Sequence, residues 1–512
     1  MASTTGDEDI FSLLQKPVDP KETEERQKAL IEKQRTIAEK HHSRHAELID
    51  ENSTLPTTIA RIQVLNAPNT RKEFLERIFR PVLSANQDKP YTLAEALDAV
   101  SSRASKLSRF GIFHEPITIH LDKSTDPKAL PTDIDVYLSV REKSRIMLKT
   151  GTDVGNTEGS AYGNFLWRNI FGGAETLNVN ASVGTRTRSA YQAAFETPIF
   201  SDPDFRWEIG AIASATHKPW ASHEELVRGA WTRFRWLGRA GDRHELTCNG
   251  FWRQVTGLAE NASLTVRDDA GDSVKSSISH AWIFDRRDHP LLPSRGVFAK
   301  AWNEVAGWGP LKGDVAFWKS EFEAQGAVPI PIPGIKGESG VSFTAGFRCG
   351  LLYPLGLSGD AQVRATRIND RFILGGPSDV RGFRQAGLGP HDGADAVGGD
   401  VYAAGSANLY VPLPRVGKDA PLRLQAFLTG GRLLPLQTSQ GGAPKTAEDV
   451  KDAAVSTIRA LQNGLPSTSA GIGLVYAHPV ARFELNFTLP LVQRQGEEGR
   501  KGLQVGVGLS FL

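Results

Sequence analysis

Three sets of residues in this chain have types that chemistry uses. His41, His42 and His45 sit at helical spacing and carry imidazoles that hold metals in other settings. No other ligand lies near them, and residues 21–51 are dense in Glu, Lys, Arg and Gln. They are therefore read as exposed histidines on a solvated helix or arm. Asp285-Arg286-Arg287-Asp288 places two carboxylates close together, but a turn is expected here rather than a metal site. Cys248 and Cys349 are the two cysteines; they lie far apart and supply neither a disulfide framework nor a ligand spacing. A reducing compartment, or synthesis in one, suits so few thiols. No Ser-His-Asp set, P-loop, GxGxxG or Cys/His cage stands out. The expectation is no catalysis, no metal and no cofactor.

The elements that position these residues divide the chain in three. Residues 1–55 form a polar arm. Residues 56–142 alternate and then turn helical. Ile62 and Val64 read as a strand, and Phe74, Leu75, Ile78, Phe79 and Val82 as a helical stripe. Leu93, Leu97, Val100, Ala104 and Leu107 make a second stripe behind Thr92, a candidate N-cap. Ile117, Ile119 and Leu121, then Ile134, Val136, Leu138 and Val140, alternate again. The order strand, helix, helix, strand, strand predicts a small α+β domain with two helices on one sheet face.

Residues 143–512 are different. The chain has no run of ~18 apolar residues, so no transmembrane helix is expected. Its start carries Asp7, Glu8 and Asp9 and reads as neither a secretory signal nor a transit peptide. The net charge of +2 gives no nucleic-acid signature, and mean hydropathy is −0.30. Averages hide membrane barrels, because only alternate residues face lipid. Alternation is what this region shows. Leu422, Leu424, Ala426 and Leu428 interleave with Arg423, Gln425, Phe427 and Thr429. Phe483, Leu485, Phe487 and Leu489 interleave with Arg482, Glu484, Asn486 and Thr488. Leu503, Val505, Val507 and Leu509 interleave with Gln504, Gly506, Gly508 and Ser510. Soluble strands average about 5–6 residues, whereas a tilted membrane strand needs about 9–11. Several segments reach the longer value. Their polar side mixes glycine, hydroxyls and charges such as Arg482 and Glu484, as the lumen of a barrel does. About sixteen such segments predict a membrane all-β fold, a sixteen-stranded antiparallel transmembrane β-barrel. Trp167, Trp207, Trp220, Trp231, Trp236, Trp252, Trp282 and Trp302 lie in or near the strands, where interfacial belts or ordinary packing would use them. Residues 353–400 and 432–466 form two long connections, and a helix is expected from Ala447 to Leu461.

The first connection contains Asp379-Val380-Arg381-Gly382-Phe383 after Leu374-Gly375-Gly376-Pro377-Ser378. This resembles the signature of the BamA-type barrel-assembly family. Ser469-Ala470-Gly471-Ile472-Gly473-Leu474, Pro479 and residues 483–491 are similar to late strands of that family. The turn at Asp285 is similar to a recurrent one, and residues 56–142 look like a POTRA domain. The resemblance implies that the loop folds back into the lumen and that the wall holds Arg381. The relatives' acidic partners match Asn408 and Thr429 here, both neutral, so either Arg381 is hydrated in the lumen or another carboxylate serves, Glu484 being one candidate. One POTRA unit without a cleavable signal resembles the mitochondrial branch, which implies the mitochondrial outer membrane, with the POTRA domain in the intermembrane space. The implied partners are unfolded β-barrel precursors, companion subunits of the sorting and assembly machinery (SAM complex) on the cytosolic face, and membrane lipids.

Residues 504–511 match a mitochondrial β-signal, although any last strand must alternate in this way. The expected mechanism is templating. A lateral gate opens between a first strand carrying Arg145, Met147, Lys149 and Gly151 and a last strand carrying Gln504, Gly506, Gly508 and Ser510. A precursor strand would pair with the exposed edge. Gly506 and Gly508 either weaken that seam or make room in a tight lumen. The rival readings are a protein-conducting channel of the same superfamily, a passive pore and a soluble binding protein.

Overall fold

The computed structural model describes residues 47–512 apart from 89–90, 156–157, 333–338, 357–362, 414–416, 418–419, 438–443, 445, 480 and 509–512, together with 32, 33 and 44. His41, His42, His45 and Ser510 lie outside the described residues. Contacts divide the chain into two units, residues 1–68 with 75–142 and residues 69–74 with 143–512.

In the first unit, β1 (Pro56–Leu65), α1 (Lys72–Asp88), β2 (Tyr91–Thr92), α2 (Leu93–Ser108), β3 (Thr118–Lys123) and β4 (Asp133–Ser139) follow the expected order. The sheet order is β2-β1-β4-β3, with β1 and β4 parallel. Thr92 caps α2: its Oγ1 accepts from Glu95 N at 3.3 Å, and Glu95 Oε2 accepts from Thr92 N at 3.0 Å. The reciprocal pair satisfies two orphan donors of the first turn. Val100, Ala104 and Leu107 on α2 are buried, as are Ile78 and Val82 on α1 and Val136 and Leu138 on β4.

The second unit is one antiparallel sheet of sixteen strands. They are β5 (Ile146–Gly155), β6 (Glu158–Arg168), β7 (Thr176–Gly184), β8 (Thr187–Pro198), β9 (Phe205–Lys218), β10 (His223–Leu237), β11 (Arg243–Thr256) and β12 (Gly271–Asp285). Then come β13 (Gly296–Ala306), β14 (Phe317–Pro329), β15 (Ser342–Pro354), β18 (Val401–Pro412), β19 (Leu422–Leu434), β20 (Ser467–Ala477), β21 (Arg482–Val492) and β22 (Gly502–Gly508). A small hairpin, β16 (His391–Asp392) with β17 (Asp395–Ala396), interrupts the sequence order. α3 (Leu264–Asp268) joins β11 to β12, and α4 (Ala447–Asn463) joins β19 to β20 close to its expected bounds. Pairing runs from β5 to β22 without interruption. Among the described residues no pairing joins β5 to β22, the step that would complete the expected barrel.

Side chains are distributed inside out relative to a water-soluble sheet. On β21, Arg482, Glu484, Asn486 and Thr488 are buried while Phe483, Leu485, Phe487 and Leu489 are exposed. Leu148, Ile472 and Leu503 are 68%, 67% and 60% exposed. A contiguous apolar outer face of this extent is costly in water and favourable in hydrocarbon. The sheet therefore reads as membrane-spanning. The tryptophans do not all join an outer belt. Trp231 and Trp302 alternate with the inward set, and Trp231 Nε1 donates to Glu208 Oε1 at 2.8 Å. Packing decides those two positions, not an interface.

Candidate functional site

The connection from β15 to β18 runs along the inner face. Phe372, Leu374, Val380, Phe383 and Leu388 from this loop are buried with Ala306, Phe317, Leu352, Tyr402, Ala404 and Leu433 of the wall. Apolar cover of this kind keeps water from the polar contacts beside it, so those contacts act in a low dielectric.

Arg381 is fully buried. Its Nε donates to Glu484 Oε2 at 2.8 Å and its Nη2 to Glu484 Oε1 at 3.1 Å. This two-point geometry is the strong form of an arginine–carboxylate pair. Arg381 Nη1 donates to Asn408 Oδ1 at 3.4 Å, and the guanidinium sits 5.0 Å from the Phe427 ring centre. Arg482 is also paired with Glu484, and donates to the Tyr410 hydroxyl at 2.7 Å. Asn486 Nδ2 donates to Glu484 Oε2 at 2.7 Å. One buried carboxylate thus lies between two guanidiniums. The remaining charge is spread over Tyr410, Phe427 and neutral amides, which is the compensation that buried ions require.

Two of the three candidate partners of Arg381 therefore touch it. Thr429 sits one step away: its hydroxyl lies 3.0 Å from Ser469 Oγ, which hydrogen-bonds the Arg381 carbonyl. Asp379 Oδ2 accepts from Gly375 N at 3.0 Å, tightening the loop, and Asp379 lies 3.7 Å from Arg348. Gly382 has φ +80°, and a Cβ there would meet Ser469 Cβ at 2.7 Å. Both conformation and closeness to the wall demand glycine at this position.

The last strand is tied into the same site. Gln504 Oε1 accepts from Gly382 N at 3.0 Å, and Gln504 Nε2 donates to the Phe383 carbonyl at 3.2 Å. Gly506 lies opposite Glu484 and Gly508 opposite Arg482 in the β21–β22 register. Directly opposed residues come within about 5 Å, so both glycines leave room beside the buried charges. At the other edge, Met147, Lys149 and Gly151 pair with Leu166, Asn164 and Tyr162 on β6. A Cβ on Gly151 would meet the Tyr162 hydroxyl at 2.7 Å, so the tyrosine lies over that glycine. Arg145 precedes β5 and donates to the carbonyls of Asn169 and Ile170 at 3.2 and 3.0 Å.

A second anchor was not foreseen from sequence. Asp370 accepts from Arg253 Nη1 and Nη2 at 2.7 and 3.1 Å. Its carbonyl accepts from Lys319 at 2.9 Å, and Lys275 lies 3.6 Å away while bonding Glu304. Asn369 donates to Glu225 at 2.9 Å, and Gln385 accepts from Arg186 at 2.6 Å. These partners come from widely separated strands and turns, so the sheet curls around the loop. The turn after Asp285 is a turn, as its spacing suggests: Asp288 accepts from the backbone nitrogens of His289, Ser294 and Arg295 at 2.9, 3.0 and 3.2 Å. Among the described residues no cluster of His, Cys, Asp and Glu is arranged for a metal.

Residues 169–511 match the Omp85 superfamily domain. A SAM50-like protein of Schizosaccharomyces pombe is 38% identical over 94% of this chain and 97% of its own length. The sorting and assembly machinery component 50 homolog of Homo sapiens is 32% identical over 83% of this chain and 85% of its own. Among solved structures, BamA from Haemophilus ducreyi lacking POTRA domains 1–3 is similar in fold. Its TM-score is 0.67 at 14% identity, covering 88% of this chain and 84% of that one.

Proposed function

This chain belongs to the Omp85 superfamily, and from that premise we propose that it folds and inserts β-barrel precursors into the mitochondrial outer membrane. It works as the membrane core of a sorting and assembly machinery and makes or breaks no covalent bond. Residues 56–142 serve as a POTRA domain in the intermembrane space. Companion subunits bind at the cytosolic face.

The observation that carries this reading is the asymmetry of the two sheet edges. Gln504 on β22 is clasped to the backbone of Gly382 and Phe383. On β5, Ile146 and Leu148 are exposed on one side and Lys149 on the other. An edge strand with free backbone groups pairs readily with an extended chain. In hydrocarbon each unpaired group costs several kcal/mol, so a precursor gains most by pairing before it meets lipid. The seam between β5 and β22 is the lateral gate, and the loop holds β22 in place while β5 receives the incoming strand. The same loop packs against the last strands and fills part of the lumen, which favours an insertase over a conduit.

Mitochondria depleted of the chain and then resupplied with it provide the test. A labelled barrel precursor should reach its folded, protease-resistant form only on resupply. A soluble precursor should cross the outer membrane in both cases. Loss of soluble-precursor entry with barrel assembly intact would replace the insertase by a protein-conducting channel.

A further inference from the structure

The outer face of the sheet is apolar and carries a hollow. Two adjoining recesses of about 460 and 530 Å³ share Phe347, Ala403, Leu461 and Gln462. The floor is made of small outward residues, Ala403, Gly405 and Ala407 on β18 and Gly430 on β19. Phe347 of β15 forms one wall, and Leu461 of α4 overhangs the other. Gly405 needs neither a special backbone angle nor close packing: a Cβ there would meet only the Gly346 carbonyl, at 3.4 Å. The missing side chain leaves the hollow open. α4 exposes Val455 and Ile458 beside it, as an interfacial helix does.

Arg432 lines one end of the hollow, and Arg494 lies beside it. Arg432 reaches across the end of α4, hydrogen-bonding the Ala460 carbonyl and lying 3.5 Å from that of Leu461. Its Nε has no acceptor among the described residues. Gly464 has an ordinary φ of −101°, and the Arg432 guanidinium lies in the space where its Cβ would be, so the arginine passes directly over this glycine. Arg494 donates to the Leu465 carbonyl at 2.5 Å, and its charge repels that of Arg432. Glu497 is the nearby anion, and it is already bonded by Ser467 and by Arg494 N. Of these three charged groups one positive charge is left over at this end of the apolar hollow.

The geometry points to a bound anionic phospholipid, its acyl chain lying along Ala403, Gly405 and Gly430 under α4 and its phosphate at Arg432 and Arg494. A lipid tail is the apolar material that surrounds this face, and a phosphate complements the excess cation. The proposal rests on the outward face being lipid-facing, not on the insertase reading.

Native mass spectrometry of the full chain, with phosphatidylglycerol or phosphatidylcholine added at defined ratios, tests it. The wild type should retain one phosphatidylglycerol in preference to phosphatidylcholine. Gly405→Leu fills the hollow without disturbing the strand and should abolish retention of either lipid. Arg432→Gln should lower the preference for phosphatidylglycerol by about fivefold, the effect of one basic residue beside an anionic surface. Arg432→Lys should keep most of it. Each variant must show the heat-modifiable gel shift of a folded barrel; for one that does not, Arg494→Gln provides the charge test in its place. Equal retention by wild type and Gly405→Leu, or no headgroup preference in the wild type, would overturn the assignment. So would a co-purified polypeptide in the hollow.

Discussion

The two ends of the sheet share one exterior and differ inside. On β5–β7, Ile146, Leu148 and Val183 point outward and are exposed, as Leu424, Ile472 and Phe487 are on β19–β21. Inside, Asn164, Asn178 and Asn180 at the first end are half-buried and bond mainly one another, with 2.7 Å between Asn164 and Asn178. At the last end Asn408, Gln425, Ser469, Glu484, Asn486 and Gln504 are all buried. The strands pair antiparallel at both ends; the loop makes the difference. Period-two patterning decides which side meets lipid. Whether the other side is packed or solvated depends on whether residues 363–400 lie against it. The last strands are braced by the loop, and we propose that the less packed first strands are the ones that receive a precursor.

The largest expected effect comes from removing the brace. Glu484→Ala leaves Arg381 and Arg482 buried together without their carboxylate. Breaking a buried pair costs about 3–5 kcal/mol, and thermal unfolding in detergent should show a loss of that order. Gly382→Ala is next: left-handed strain costs about 1–3 kcal/mol, and the Ser469 contact adds to it. Asp370→Asn weakens the second anchor by about 1–3 kcal/mol, the cost of a poorly matched buried group. It should free the loop near Arg253 while the Arg381 site keeps its protection in hydrogen exchange. Asn164→Ala, at the open end, should change stability by no more than about 0.5 kcal/mol. If it matched Glu484→Ala, the two ends would not differ as described.

The smallest effect lies outside the membrane, at Asp288. Burial raises its carboxyl pKa, but hydrogen bonds from Ser294, Arg295 and His289 outweigh this and hold it below its ordinary value of 3.8. A carboxylate depressed in the folded state stabilises above its unfolded pKa, and that stability is lost as pH falls through the folded value. Asp288→Asn should therefore lower stability slightly at neutral pH, leave it nearly unchanged at low pH, and so flatten the acid limb below about pH 4.

Much of this was legible in the sequence. The alternation on β19, β21 and β22 separates inner from outer residues correctly because a strand has one period and two faces. Glu484 stood out because it shares the inward side with Arg482. The Arg381 loop was recognisable from Val380-Arg381-Gly382-Phe383. What stayed hidden joins distant residues without a local pattern. Asp370 and Arg253 are 117 positions apart, and Gln504 and Gly382 are 122 apart. Either residue alone reads as an ordinary polar position in a loop or strand. Trp231 and Trp302 stayed open between belt and packing for a related reason: composition marks a tryptophan, but register decides its side. Gly464 gives no signal either, since what lies over it is Arg432, 32 positions earlier.

A cysteine scan across the two edges tests the central claim most directly. Cys248 and Cys349 are replaced by serine, and single cysteines are placed at positions along 146–152 and 502–507. Each is then challenged with a precursor carrying one cysteine in its own last strand. Register-dependent disulfides should form to 146–152 and be lost when the precursor's signal is scrambled, with few to 502–507 while Gln504 remains. Capture mainly at 502–507, or at neither edge in a folded, membrane-embedded protein, would contradict it.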